Sequence, residues 1–262
     1  MKNEPIRRQL QTGFWWIVHC QNFQVRFLES PHFIRLLRDR HAGATVLYKL
    51  RNGLRIELAS GRYEHCLLEE IWMDNAYTHP KGFQIARTDT VIDIGAHKGV
   101  FSLYAAYLAK EGQVLSFEPH PGNYSLLQEN LRRNNATNVR AFNLAVWSKP
   151  DKLILKTSSS SLSHSLVLPT DGGGTLEVYC TGLREIFEEN RISTCEFLKI
   201  DAEGAEYEIL LATPAEILAR TDRIVVEVHR VPRWSPTRLC DILSEHGFKT
   251  TLHDQLVFAR RQ

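Results

Sequence analysis

From residue 89 onward the chain alternates short apolar runs with amphipathic ones, and several of those runs are apolar at almost every position. Arg223-Ile224-Val225-Val226-Glu227-Val228 is the clearest. Strands that carry apolar side chains on both faces belong to a sheet covered on both sides, and strand–helix alternation makes that sheet mainly parallel. The pattern predicts strands at 90–96, 113–118, 139–146, 196–201 and 223–229. Helices are expected at about 98–110, 121–134, 182–191, 205–219 and 235–246, the last ended by Gly247. Two closing β-type runs, 249–253 and 256–260, suggest an antiparallel edge. The fold class is α/β and Rossmann-like.

The residues before this alternation read differently. Residues 1–43 are aromatic and basic, with Arg7, Arg8, Phe14, Trp15, Trp16, Phe23 and Phe27. Ser30-Pro31 reads as a helix start, with Ser30 as cap and Pro31 in the first turn. Two β-type runs, 45–50 and 54–58, flank Asn52-Gly53 and make a hairpin, because both turn residues tolerate positive φ. Leu67, Leu68, Ile71 and Trp72 recur at helical spacing and end near Tyr77 and Pro80. Residues 1–87 are therefore an accessory segment and 88–262 the main domain. The accessory segment is expected to pack on the domain, with a dimer or membrane-surface contact as the alternative. A Ser/Gly-rich insert at 157–175 is either a surface hairpin or a loop over a site.

Thirty-two Lys+Arg against thirty Asp+Glu leave a formal charge of +2, which argues against a nucleic-acid partner. No apolar run approaches the roughly 18 residues of a transmembrane helix. Five scattered cysteines contain no CxxC pair, which disfavours structural zinc and fits a reducing compartment. With no signal-peptide pattern at the start, a cytoplasmic location is expected.

Chemistry-bearing residues gather where the strands end. Asp93-Ile94-Gly95-Ala96-His97-Lys98-Gly99 carries a strand through a small-residue turn into a helix, and ligands bind outside such strand ends in open α/β sheets. The GxGxxG spacing of a nicotinamide site is absent. A carboxylate at Asp93 would repel a pyrophosphate but suits the cationic end of S-adenosylmethionine. Glu118, before Pro119 and 25 residues after Asp93, is placed to accept hydrogen bonds from ribose hydroxyls. Ala145-Val146 ends the third strand, where it can border an adenine, and Tyr77 either closes over the cofactor or packs in the core. Lys199-Ile200-Asp201-Ala202-Glu203-Gly204-Ala205-Glu206 runs a strand into three acids. Glu227 and His229 share a face of the fifth strand. Asp201, Glu203, Glu227 and His229 together could hold a hard divalent cation such as magnesium, although no metal is required.

The ordered series DIGAHKGVFSLYAA, FEPHPGNYSLLQENLRRNN, NLAVWS, FLKIDAEGAEYEIL and VVEVH resembles the FkbM family of S-adenosylmethionine-dependent methyltransferases, over roughly residues 69–255. The resemblance implies a class I methyltransferase fold with a seven-stranded sheet and O-methylation of a sugar, glycolipid or polyketide-like hydroxyl. It assigns Asp93, Gly95 and Gly99 to the methionine end and Glu118 to the ribose, with Ala96, His97 and Pro119 beside them as cofactor contacts. Ala145, Val146, Asp201 and Tyr77 complete the cofactor contacts. Asp201, Glu203, Glu227 and His229 line the catalytic side, with neutral His229 as the first candidate base and Asp201 the second. The family usually has Asn-Ile at His97-Lys98 and an acid at Arg184. The competing readings are a nicotinamide-linked oxidoreductase, disfavoured by the missing GxGxxG, and a non-catalytic binding or scaffold protein that keeps the fold.

Overall fold

The computed structural model describes residues 4–21, 45–59, 64–158, 164–170 and 173–262. The accessory segment contributes helix α1 (Glu4–His19), strands β1 (Thr45–Lys49) and β2 (Arg55–Ala59), and helix α2 (Cys66–Leu68), which continues as a π-helical turn, Glu69–Met73. The expected helix start at Ser30-Pro31 lies outside the described residues. Then come β3 (Thr90–Ile94), α3 (Val100–Leu108), β4 (Gln113–Phe117), α4 (Pro121–Arg133), β5 (Val139–Phe142) and β6 (Ala145–Val146). The insert is flanked by β7 (Asp151–Lys156) and β8 (Thr175–Thr181). The chain finishes with α5 (Leu183–Glu189), β9 (Phe197–Ile200), α6 (Glu206–Ala212), α7 (Ala215–Leu218), β10 (Arg223–Glu227), α8 (Pro236–Glu245), β11 (Phe248–His253) and β12 (Leu256–Arg261).

Seven strands form one sheet in the order β11–β12–β10–β9–β3–β4–β5. The five strands of the β/α alternation pair in parallel, and β12 alone runs antiparallel, inserted between β10 and β11. The order reverses between β3 and β9, so the strand ends there open a crevice.

Two expected elements are divided. The single strand 139–146 breaks at Asn143, whose side-chain amide donates to the carbonyls of Glu118 and Pro119 and turns the chain. β6 then leaves the main sheet and pairs with β8. The single helix 205–219 is split by Pro214, which lacks an N–H and disfavours helical backbone at the residue before it.

The accessory segment and the main domain share one core. Trp16, Tyr48, Ile56 and Leu68 pack in the same buried cluster as Val91, Leu103, Phe197 and Phe258. Polar ties reinforce it. On α4, Asn130 and Asn134 stand one turn apart and each pairs its side-chain amide with the backbone of β2. Asn130 exchanges hydrogen bonds of 2.7 and 3.0 Å with Glu57. Asn134 exchanges bonds of 2.8 and 2.7 Å with Arg55. The two amides occupy backbone groups that an edge strand would otherwise leave to a stray partner. Lys98, in the turn after β3, is buried in an ion pair with Glu64 of the accessory segment.

A polar row crosses the middle of the sheet. Asp93 of β3 lies directly beside Lys199 of β9 and Ser116 of β4. One oxygen of its carboxylate accepts from Lys199 Nζ at 3.1 Å and the other from Ser102 Oγ of α3 at 2.7 Å, and Ser116 Oγ donates to Ser102. Lys199 is 2 % exposed and Asp93 fully buried. Burial by itself would lower the lysine's pKa, but the charges of Asp93 and Asp201 outweigh it and hold the ammonium above its ordinary value. Removing one member of such a pair leaves an uncompensated buried charge. Lys199→Met is therefore expected to cost about 3–5 kcal/mol in urea unfolding, and adding Asp93→Asn to recover part of that loss.

Candidate active site

A cavity opens at the C-terminal ends of β3, β4 and β9. Its floor comes from the strand ends and the turns after them: Ile94, Gly95 and His97, then Phe117, Glu118 and Pro119, then Asp201, Ala202 and Glu203. Ala145 and Val146 of β6 and Asn123 of α4 form one side. Leu155 of β7, His164 and Leu166 of the insert and Leu67 of the accessory segment close it. Gly95 has a φ of +76°, and a Cβ there would overlap the main-chain oxygen of Asp201. That contact brings the ends of β3 and β9 together, and only glycine permits it.

The structure divides the residues anticipated for the cofactor. Gly95, His97, Glu118, Pro119, Ala145, Val146 and Asp201 stand on the cavity wall, and four others do not. The Asp93 carboxylate lies beneath the strand end, held by Lys199 and Ser102. Ala96 is buried, with its N–H on Phe117 O. Gly99, at φ +85°, precedes α3 and lies against Leu127 of α4, so its small size serves helix packing. Tyr77 is buried edge-on to Phe101, and its hydroxyl donates to Glu227 Oε2 at 2.6 Å.

Glu118 is aimed by two backbone donors, His97 N–H at 2.8 Å and His120 N–H at 2.9 Å. Burial outweighs these bonds and raises its pKa to about 7. Around it stand three histidines. The His97 backbone is left-handed at φ +50°, and both its ring nitrogens are buried without a hydrogen-bond partner. The rings of His120 and His164 stack at 4.2 Å. Burial lowers the pKa of all three, His164 to about 4, with the Lys98 charge adding to the effect. At neutral pH the three rings are uncharged, and the Glu118 carboxyl is the titrating group among them.

On the opposite side Asp201 and Glu203 line the cavity, and Glu206, Glu227 and His229 stand behind them off its wall. Glu206, with no exposed surface, accepts through Oε1 from His229 Nδ1 at 2.8 Å and from the N–H groups of Ala202 and Gly204, both at 3.1 Å. Its three contacts set the turn that carries Glu203 (φ +50°) and Gly204 (φ +100°). The other ring nitrogen of His229 lies 3.4 Å from Glu203 Oε2. Burial lowers the pKa of His229, but the Glu206 hydrogen bond and the charges of Glu206, Glu203 and Asp201 outweigh it and raise it to about 10. A pKa of about 10 favours the imidazolium at neutral pH, whereas the sequence reading takes His229 as a neutral base. Burial raises Glu203 to about 7, and it also raises Glu227. Glu70 of the accessory segment is raised to about 7 by burial and by the charges of Glu227 and Asp201. Asp201, Glu227 and His229 present ligand atoms within 4.8 Å of one another, the spacing of a single cation site. An ion there would require His229 to give up its proton.

The sequence pattern gives Glu206 no task of its own and no sign of His164, Leu155 or Leu166. The insert carries no motif; its place is set by Ser165, whose hydroxyl donates to Glu203 O at 2.5 Å.

A family model described as the methyltransferase FkbM domain matches residues 93–250. A methyltransferase of Sordaria araneosa, sdnD, is 25% identical over 220 residues, covering 71% of this chain and 82% of its own. The 31-O-demethyl-FK506 methyltransferase FkbM of Streptomyces tacrolimicus is 25% identical over 241 residues, covering 80% of this chain and 92% of its own. Among solved structures, a methyltransferase FkbM from Methylobacillus flagellatus matches with a TM-score of 0.50 at 17% identity. That match covers 70% of this chain and 46% of the other, and it bears on the fold alone.

The His229 clamp has a signature in stability. A histidine whose pKa is about 10 when folded, against about 6.5 unfolded, contributes in full below pH 6.5 and loses its contribution as pH rises toward 10. The melting temperature is expected to fall between pH 7 and pH 10. Glu206→Gln should flatten that slope, as measured by thermal melting across the range.

Proposed function

The chain belongs to the FkbM methyltransferase family, and on that premise we propose that it is an S-adenosylmethionine-dependent O-methyltransferase acting on a hydroxyl of a small-molecule or sugar acceptor. The observation that carries the reading is Glu118 on the cavity wall, aimed by the N–H groups of His97 and His120, with Asp201 and Glu203 lining the same cavity. A carboxylate has about four acceptor positions. The N–H groups of His97 and His120 and the side chain of Asn123 engage three of them, which leaves capacity for one ribose hydroxyl. Pro119, Ala145 and Val146 offer apolar surface to an adenine. The unpartnered His97 ring, neutral and buried, has one donor and one acceptor for the polar methionine end. When bound, the cofactor supplies an electrophilic methyl group on a sulfonium. The acid-rich wall favours that cationic centre.

An acceptor hydroxyl must lose its proton as its oxygen attacks. Glu203 is the residue we assign to this step. It lines the cavity, and a pKa of about 7 poises its carboxylate for proton transfer near neutrality. His229, held by Glu206, stays charged beside it and fixes its orientation. Asp201 and Glu227 supply the surrounding negative field. The relatives support the acceptor class through their names: one is a 31-O-demethyl-FK506 methyltransferase, and another, of Haloferax volcanii, is a hexuronic acid methyltransferase. Among the described residues no helix is long and apolar enough to cross a membrane, and the cysteines are free, in keeping with work in the cytoplasm.

Calorimetric titration with S-adenosylmethionine and with NAD tests the cofactor. Glu118→Ala is expected to weaken S-adenosylmethionine binding by about tenfold or more. Tight NAD binding without S-adenosylmethionine binding would overturn the assignment. In a labelled-methyl screen against hydroxyl-bearing acceptors, Glu203→Gln should lower kcat by about 10²–10⁴. kcat/KM of the unaltered protein should fall as pH drops below about 7, where Glu203 takes up its proton.

A further inference from the structure

A second cleft, of about 540 Å³, lies at the far edge of the sheet and shares no lining residue with the cavity above. One wall is the 79–83 segment and the other is β11–β12. Its floor is aromatic: Phe258 meets Phe83 edge-on at 5.1 Å and His79 at 5.6 Å.

The charges of this cleft are unusual in their placement. Lys249 of β11 is directly opposite Arg260 of β12, and Arg260 is directly opposite Arg223 of β10. Directly opposed residues of an antiparallel pair project from the same face, and like charges there repel. Three cations thus stand in one row across three strands. Only Arg223 is neutralised, by Asp89 at 2.7 Å. Lys81, on the opposing wall, adds a further cation. The Arg260 guanidinium lies over Gly82, where a Cβ would come within 2.6 Å of it. No carboxylate among the described residues pairs with Lys81, Lys249 or Arg260, whereas Arg87, Arg132, Arg133, Lys152, Arg184 and Arg238 each meet one. Asp254, the acid nearest His253, is taken up with that ring at 3.4 Å.

We propose that this cleft is a binding site for the phosphoryl group of a ligand, a phosphate monoester or diphosphate held by Lys81, Lys249 and Arg260 over the aromatic floor. A dianionic group relieves the Lys249–Arg260 repulsion and takes charge-assisted hydrogen bonds from three directions. The proposal does not depend on the methyl-transfer reading.

Pyrophosphate is the probe. Calorimetry is expected to show binding that weakens as salt is raised. The double variant Lys249→Gln/Arg260→Gln should lose about tenfold or more in affinity, the scale of charged hydrogen bonds. Both side chains are exposed, so the variant should keep the melting temperature of the unaltered protein. Sedimentation with phosphatidylcholine vesicles, with and without phosphatidic acid, separates the two sources of the group. Vesicle binding lost in the variant assigns it to a lipid headgroup, whereas pyrophosphate binding alone assigns it to a soluble ligand. Absence of pyrophosphate binding, or equal binding by the variant, would overturn the proposal.

Discussion

The ion pair between Lys199 and Asp93 organises the end of the sheet. It joins neighbouring strands, and the same ammonium donates to Gly95 O at 3.1 Å and lies 3.5 Å from Asp201. It therefore holds the turn after β3 and the end of β9, which together form the cavity's central ridge. Its ammonium also stands over the rings of Tyr77 and Phe101, at 5.3 and 5.5 Å. A buried pair of ions is costly unless its remaining hydrogen-bonding capacity is met. Here Ser102, Gly95 O and the two rings meet it. Position and charge at the site both follow from one contact below it.

Above that contact the cavity is electrostatically lopsided. Glu118 sits among backbone donors and neutral histidines, while Asp201, Glu203, Glu206 and Glu227 crowd around a single imidazolium. Like charges packed at a strand end raise one another's proton affinity. Burial first, and these neighbouring charges second, raise the carboxyl groups of Glu70 and Glu203 to about 7. Groups poised there can take up or release a proton near neutrality.

The accessory segment is part of this arrangement. Tyr77 reaches Glu227, Glu70 adds to the acidic side, and Leu67 lines the cavity. The buried Lys98–Glu64 pair gives a physical reason for lysine in the turn after β3, where the family usually has isoleucine: it fastens the segment to the turn. A division at residue 87 marks where the β/α alternation begins along the chain, but packing crosses it freely.

The alternation itself was legible because burial on both faces leaves a run of apolar residues that needs no partner to be recognised. The strand-end positions Gly95, Glu118, Ala145, Val146, Asp201 and Glu203 could be read for the same reason: a strand's end is a local property. The direction in which each polar side chain turns was not. Asp93 turns away from the cavity because Lys199, 106 residues later, lies beside it in the sheet. His229 is charged because Glu206, 23 residues earlier, faces it across a turn. His164 enters the cavity because Ser165 is anchored to Glu203, 38 residues on. The sequence by itself determined the layers, the strand ends and the kinds of residue gathered there. Only the tertiary structure decided which of those residues face the cavity and which carry charge, because both depend on partners that the chain brings together solely by folding.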